Sequence, residues 1–224
     1  MTSKQSYIAI IDYGYGNLHS ARNAFEKVIS DTALDKKALI TDKAEDILNA
    51  ERVVLPGQGA FGSCINGLRS HKNLLEALTE VVFKKGRPFL GICVGMQLLA
   101  SRGHEFELNT GLDWVSGEVV PLEVSDPELK IPHMGWNRLL FDTPGMQDNR
   151  HPVLKSVRPE SYFYFVHSFM FKCQNKLHAL AYTEYDRPVE AVVGYDNMIG
   201  VQFHPEKSHD TGLRLIEDFI HWKP

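Results

Sequence analysis

"RPFLGICVGMQLLAS", residues 87–101, runs from a short apolar stretch through a glycine-framed cysteine into a helical pattern. Pro88 to Ile92 reads as a strand and Met96 to Ser101 as a helical turn. Gly91-x-Cys93-x-Gly95 has the spacing of a nucleophile elbow, with cysteine where that motif carries serine. Glycine is needed on both sides because a tight strand-to-helix turn leaves no room for side chains. Such a turn lifts the Cys93 side chain clear of the C-terminal edge of a sheet. It also sets the sulfur at the start of the next helix, where backbone N–H groups favour negative charge. The N–H of Val94 then faces the place where an oxyanion would form. In the competing reading, Cys93 is a small buried apolar residue, as free cysteines commonly are. Cys64, in the helix-like "GSCINGLRS", reads as structural, and Cys173, in the strand-like "MFKCQNK", has neither an elbow nor a nearby base.

A thiol nucleophile works with an imidazole that a third group holds in one tautomer. "GVQFHPEKS", residues 200–208, supplies both. Pro205 biases His204 toward an extended backbone, and residues two apart in an extended segment project to the same side. Glu206 is therefore expected to reach one ring nitrogen of His204 while the other faces the thiol. The strand "MIGVQF" delivers the pair to a strand end, where open α/β sheets carry their chemistry. A surface histidine ahead of a turn is the plainer alternative, since the chain has ten histidines. No H-x-x-x-H or C-x-x-C spacing occurs, so neither a metal nor another cofactor is expected.

"LPGQGAFG", residues 55–62, poses a different question. Gly57, Gly59 and Gly62 fall in the G-x-G-x-x-G spacing of a dinucleotide fingerprint, behind a strand from Arg52 to Leu55. Pro56 intervenes between strand and first glycine, where the fingerprint wants a direct passage. The acidic residues at about the right distance, Glu76 and Glu80, lie inside a helical pattern. An earlier candidate, "DYGYGN", has His19 where the third glycine belongs. A simple tight turn also accounts for these glycines.

Upstream and between these stretches, strands and helices alternate. Tyr7 to Ile11, Ala38 to Ile40 and Arg52 to Leu55 read as strands. Leu18 to Ile29 reads as a helix, and so does Asp42 to Asn49, capped by Thr41 or Asp42. "NLLEALTEVVFKKG", from Asn73, is a helix closed by Gly86. This alternation predicts an α/β fold with a largely parallel open sheet flanked by helices. From about Leu112 to Gly200 strands dominate ("DWVSGEVVPLEV", "YFYFVHSFMF", "HALAYTEY", "EAVVGY", "MIGVQF"), an added antiparallel region. A helix from Thr211 to Trp222 follows, and "FDTPGMQDNRHP", residues 141–152, reads as a surface excursion.

Of the 224 residues, 43% are hydrophobic and 23% charged, enough apolar material for a sizeable core. The formal charge of −4 gives no electrostatic case for nucleic acid or an anionic membrane as partner. No apolar run approaches the roughly 20 residues a membrane span needs. The apolar segment in "MTSKQSYIAIIDYG" is too short for a signal peptide. Three widely spaced cysteines argue against a disulfide framework. A soluble protein of a reducing cytoplasm is expected.

Cys93 on "GICVGMQ", with "HPE" far downstream, resembles the class I, triad-type glutamine amidotransferases. Five stretches in order, "IDYGYGNLHSA", "LPGQGAFG", "IPHMGWN", "YFYFVHSF" and "QFHPEKS", narrow the resemblance to the glutaminase subunits of imidazole glycerol phosphate synthase, of the histidine pathway. The resemblance runs from Ile8 to the last helix and implies a flavodoxin-like fold in one amidotransferase domain over residues 1–224. It implies that Cys93 attacks the side-chain amide of L-glutamine, with His204 moving the proton and Glu206 orienting it. A thioester forms, ammonia leaves, and water releases glutamate. "PGQG" resembles the family's oxyanion loop, so Gly57, Gln58 and Gly59 join Val94 as oxyanion residues. Gly59, Gln97, Glu105, Ser168 and Phe169 resemble the contacts to the amino-acid end of the substrate, with Glu107 a near competitor of Glu105.

The length leaves no room for a second catalytic domain, so the ammonia needs a partner to use it. In the family that partner is a (β/α)₈-barrel cyclase, which makes imidazole glycerol phosphate and an aminoimidazole carboxamide ribotide. Met134 and Trp136 resemble interface residues of such a heterodimer, with Lys207 as a cross-interface ion-pair donor. Plain core packing is the alternative for Trp136. Gln58 stands where related amidotransferases often have glycine, and its side chain penalises φ > 0. The resting loop is therefore expected to turn a carbonyl toward the oxyanion site, with low activity in isolation. A different ammonia-using synthase as partner, and a catalytically silent subunit, are the rival readings.

Overall fold

The computed structural model describes residues 6–141 and 150–224. Most of the expected surface excursion, residues 142–149, lies outside the described residues. The first half alternates as its periodicity requires: β1 (Ser6–Ile11), α1 (Leu18–Asp31), β2 (Lys36–Thr41), α2 (Ala44–Asn49), β3 (Arg52–Gly57), α3 (Phe61–Ser70) and α4 (Leu74–Thr79). A π-helical turn, Glu80–Lys84, extends α4 before β4 (Phe89–Cys93) and α5 (Val94–Gln97). Strands then dominate: β5 (Arg102–Gly103), β6 (Asn109–Thr110), β7 (Gly117–Pro121), β8 (His133–Arg138), β9 (Tyr162–His167), β10 (Phe169–Cys173), β11 (Ala179–Tyr185), β12 (Arg187–Tyr195) and β13 (Met198–Val201). The last helix is α6 (His209–His221).

Among the described residues, eleven strands make one sheet in the order β2-β1-β3-β4-β13-β12-β10-β7-β5-β6, with β11 paired to β12. From β2 to β13 neighbours are parallel; β13, β12, β10 and β7 then pair antiparallel. β3 and β4 are buried at every position, which is why they read as unbroken apolar runs. α1 turns Ala21, Ala24, Phe25, Val28 and Ile29 inward at helical spacing. Phe25 meets Phe219 of α6 edge-on, with ring centroids 6.2 Å apart.

β8 and β9 form a separate antiparallel ribbon. Its two faces differ: His133, Phe163, Phe165 and His167 are buried, while Met134, Trp136 and Tyr162 are exposed. That is the alternation of a sheet covered on one side.

Two expectations need correction. α2 starts at Ala44, and neither Thr41 nor Asp42 caps it. Thr41 Oγ1 instead accepts from the Lys43 N–H and donates to Asp46, closing a turn ahead of the helix. The helical turn expected from Met96 to Ser101 is instead α5, Val94–Gln97. The carbonyls of Leu98, Leu99 and Ala100 are taken by backbone N–H groups of Leu112, Trp114 and Asp113, so the helical ladder stops. Among the described residues, no helix is long and apolar enough to cross a membrane.

Candidate active site

The sharp turn forms where β4 passes into α5. Cys93 takes φ +54° and ψ −113°, a conformation that costs a non-glycine residue about 1–3 kcal/mol and persists only where its surroundings force it. Those surroundings are backbone. A Cβ on Gly95 would stand 1.8 Å from the Leu55 carbonyl oxygen, and one on Gly57 would stand 2.4 Å from the Gly95 nitrogen. Gly57 is also the register partner of Cys93 across β3 and β4. The first glycine of "LPGQGAFG" therefore lets one strand end close on the turn at Cys93. α5 has only four residues, too few for a long helix dipole to act on the sulfur. Val94 opens α5, where a backbone N–H has no intrahelical acceptor.

His204 follows β13 with an extended backbone, φ −105° and ψ 97°. Its N–H donates to the Tyr164 carbonyl at 2.9 Å, which ties it to β9. Glu206 reaches the ring as expected: its Oε1 lies 2.8 Å from His204 Nδ1. The route differs, because Pro205–Lys207 is a 3₁₀ turn and not an extended continuation. The two side chains are 5% and 3% exposed, so solvent screens the pair weakly. With Nδ1 bound to the carboxylate, Nε2 is the nitrogen left to face Cys93, whose influence on the ring shows in its pKa. Burial alone would strip the proton from this ring. The hydrogen bonds and charges of Cys93 and Glu206 outweigh it and raise the pKa to about 10. Burial pushes the thiol of Cys64 up to about 11 and that of Cys173 further still.

A cavity of about 270 Å³ opens over the sulfur. It is lined by Gln58, Gly59, Cys93, Val94, Gln97, Glu105, Ser168, Phe169, His204 and Lys207 among others. The structure thus brings together residues scattered over 150 positions of sequence. Gly57 and Glu206 stand behind this lining. Glu105 lines the cavity and Glu107 does not. The Glu105 carboxylate accepts from the Phe61 N–H at 2.6 Å, holding it against the first turn of α3. Positive φ falls on Gly59, at +104°, so Gln58 escapes the strain its side chain would impose. The Gln58 carbonyl accepts from the Cys64 thiol at 3.5 Å.

Sequence reasoning missed Gln202. Wholly buried, it places Nε2 3.7 Å from Cys93 Sγ, and its Oε1 accepts from Gln97 Nε2 at 2.9 Å. A lone glutamine inside the apolar "IGVQF" was the one available signal. Met134 and Trp136 lie outside the cavity, on the outer face of the ribbon, 61% and 45% exposed. Core packing is therefore not what Trp136 does; it stacks on His209 at 5.0 Å and 5°. Val166 and Lys207 line the cavity, and Val166 is the register partner of Met134. The exposed face of the ribbon thus continues from the cavity rim.

Comparison with known proteins gives the chain its family. A family model described as "Glutamine amidotransferase class-I" matches residues 9–222. The imidazole glycerol phosphate synthase subunit HisH of Cereibacter sphaeroides is 48% identical over 215 residues, 96% of this chain and 98% of that one. Its counterpart from Rhodospirillum rubrum is 47% identical over 217 residues, 97% and 99% of the two chains. Among solved structures, a glutamine amidotransferase gives a TM-score of 0.66 at 15% identity, over 95% of this chain and 98% of that chain. A glutamine amidotransferase from Thermotoga maritima gives 0.63 at 17%, over 96% and 82%; at such identities the likeness is one of fold. The chain belongs to the class-I glutamine amidotransferases and, within them, to the HisH subunits of imidazole glycerol phosphate synthase.

Proposed function

We propose that this chain, working as one amidotransferase domain, hydrolyses L-glutamine to glutamate and ammonia through a thioester on Cys93. The observation that carries the reading is the buried line of Cys93, His204 and Glu206 at the open end of a parallel sheet. The Cys93 sulfur attacks the amide carbon, and its electron pair forms the C–S bond while the carbonyl π pair moves onto oxygen. The Val94 N–H and the Gly57–Gln58–Gly59 loop stabilise that oxygen. Removing one such donor lowers rates by about 10²–10³. His204, protonated by virtue of its two neighbours, gives its proton to the leaving nitrogen, and the C–N bond breaks. It then takes a proton from the water that cleaves the thioester. Gly59, Gln97, Glu105, Ser168 and Phe169 hold the amino-acid end of the substrate.

Free ammonia protonates in neutral water and is lost as a nucleophile, so it must pass directly to its acceptor. We assign that acceptor to a (β/α)₈-barrel cyclase bound as a heterodimer over the cavity rim, making imidazole glycerol phosphate and aminoimidazole carboxamide ribotide in histidine biosynthesis. Two features support this docking: large apolar side chains stand exposed beside the rim, and Lys207, a cation, stands in it. Three free, buried cysteines suit a reducing compartment, and we place the reaction in the cytoplasm.

Steady-state glutamine hydrolysis with and without the cyclase tests the reading. The complex is expected to exceed the lone subunit by on the order of tenfold or more. Trp136→Ala is expected to weaken association by on the order of thirtyfold, as loss of an aromatic anchor does. A lone subunit as fast as the complex, or undiminished binding by Trp136→Ala, contradicts this account of the partner.

A further inference from the structure

A line of hydrogen bonds runs from the ribbon to the catalytic sulfur, and its donors can be assigned one by one. The Phe169 carbonyl only accepts, so His167 Nδ1, 2.8 Å away, carries a proton. Burial keeps both ribbon histidines neutral: His133 and His167 are 3% and 6% exposed, and the pKa of each falls to about 4. A neutral His167 has a bare Nε2, which must accept from His133 Nδ1 at 3.0 Å. His133 then has its own bare Nε2, and Asn137 Nδ2 faces it at 3.4 Å while also donating to the Glu184 carbonyl at 2.8 Å. Every bond points the same way, from β8 toward Phe169. On the far side, Gln97 Nε2 donates to the same Phe169 carbonyl at 3.2 Å and to Gln202 Oε1. Gln202 stands against Cys93 Sγ.

The rings have little freedom. His133 is stacked against Phe165 and Tyr185, at 4.9 and 4.0 Å between centroids. His133 and His167 are register partners across β8 and β9. The neighbouring residue, Met134, and Trp136 beyond it, point to the opposite, exposed face. Two apolar residues would fill this space without the desolvation that two buried imidazoles suffer. The directional bonding of the pair ends on the carbonyl of Phe169, a residue of the cavity wall.

We propose that His133 and His167 are positioning residues for the glutaminase reaction, fixing the Ser168–Phe169 segment of the cavity at a place set by the exposed ribbon. The inference rests on reading the cavity as the glutamine site. The substrate's amino-acid end then meets a segment whose position reports where the ribbon sits, and a partner pressing on Met134 and Trp136 acts on substrate affinity through two imidazoles.

Two substitutions separate positioning from packing, with KM and kcat for glutamine measured in the complex with the cyclase. His133→Phe keeps the stacked ring and removes the donor. It is expected to raise KM about five- to tenfold, with kcat within about twofold. His133→Asn keeps an N–H donor near the Nδ1 position and loses the stacking. Its thermal midpoint is expected to fall while KM stays near that of the unaltered enzyme. A KM that follows the thermal midpoint in both variants, or one unmoved in His133→Phe, overturns the proposal. Nitrogen-15 spectra of the unaltered protein give a readout independent of how the variants fold. Both rings are expected as Nδ1–H tautomers, and an Nε2–H form at either position breaks the directional line and overturns the inference. If the unaltered complex hydrolyses glutamine normally while these results fail, the relay alone is wrong. A complex without glutamine hydrolysis removes the functional reading and this inference together.

Discussion

Cys93→Ala is expected to lower glutamine hydrolysis by about 10⁴-fold or more, the loss seen when a covalent nucleophile is removed from a three-residue catalytic unit. No other thiol can substitute. Cys64 and Cys173 are buried, and burial drives both toward the unreactive thiol form. The variant should still fold, because alanine keeps the β-carbon and Cys93 is 5% exposed in a turn fixed by backbone contacts. Synthesis by the complex with the proposed cyclase from excess ammonium salt at alkaline pH, where free ammonia is populated, should survive, because only the glutamine-derived source is lost. Retained glutamine-dependent synthesis in Cys93→Ala contradicts the mechanism, whereas loss of both activities points to damage at the interface.

The same variant has a proton signature. His204 is held protonated to about pH 10 against an ordinary value of 6.5, by Cys93 and Glu206 acting against burial. A raised folded-state pKa contributes stability that is complete below about pH 6.5 and is lost as pH rises through about 10. Without the sulfur, one of the two groups that hold the proton is gone. The His204 titration should therefore move to lower pH, and the alkaline loss of stability should begin earlier.

Gly95→Ala is expected to destabilise the fold by about 2–4 kcal/mol and to reduce hydrolysis by about 10²-fold or more. Its Cβ would meet the Leu55 carbonyl oxygen at 1.8 Å, and that atom belongs to a central strand that cannot yield alone. Relief requires the end of β3 to part from the turn. Such a shift carries Gly57 and the loop beyond it away from Cys93, its register partner. Denaturant midpoints report the first effect and steady-state rates the second. A Gly95→Ala protein as stable and as active as the unaltered one would show that the close approach is not what shapes the site.

The legible part of this fold is the part where one physical demand dominates each position. β3 and β4 are covered on both faces, and their sequences are continuous apolar runs. The turn at Cys93 admits no Cβ at its flanks, and glycines stand there. The pairing of His204 with Glu206 follows from a spacing of two, although a 3₁₀ turn and not a strand delivers it. What stayed hidden depends on partners distant in sequence. α5 ends early because carbonyls of Leu98, Leu99 and Ala100 meet the segment near Trp114, which no local pattern announces. His133 and His167 lie 34 positions apart, and their bond exists only through the register of the ribbon. Gln202 and Cys93, 109 positions apart, meet because β13 lies beside β4.

Covalent labelling tests the central claim most directly. The protein is treated with a diazo-ketone analogue of glutamine, digested, and the adduct is located by mass spectrometry, with excess glutamine as competitor. One adduct on Cys93, suppressed by glutamine and absent from Cys64 and Cys173, is the predicted result. An unlabelled Cys93, or modification of another cysteine that glutamine does not suppress, contradicts it.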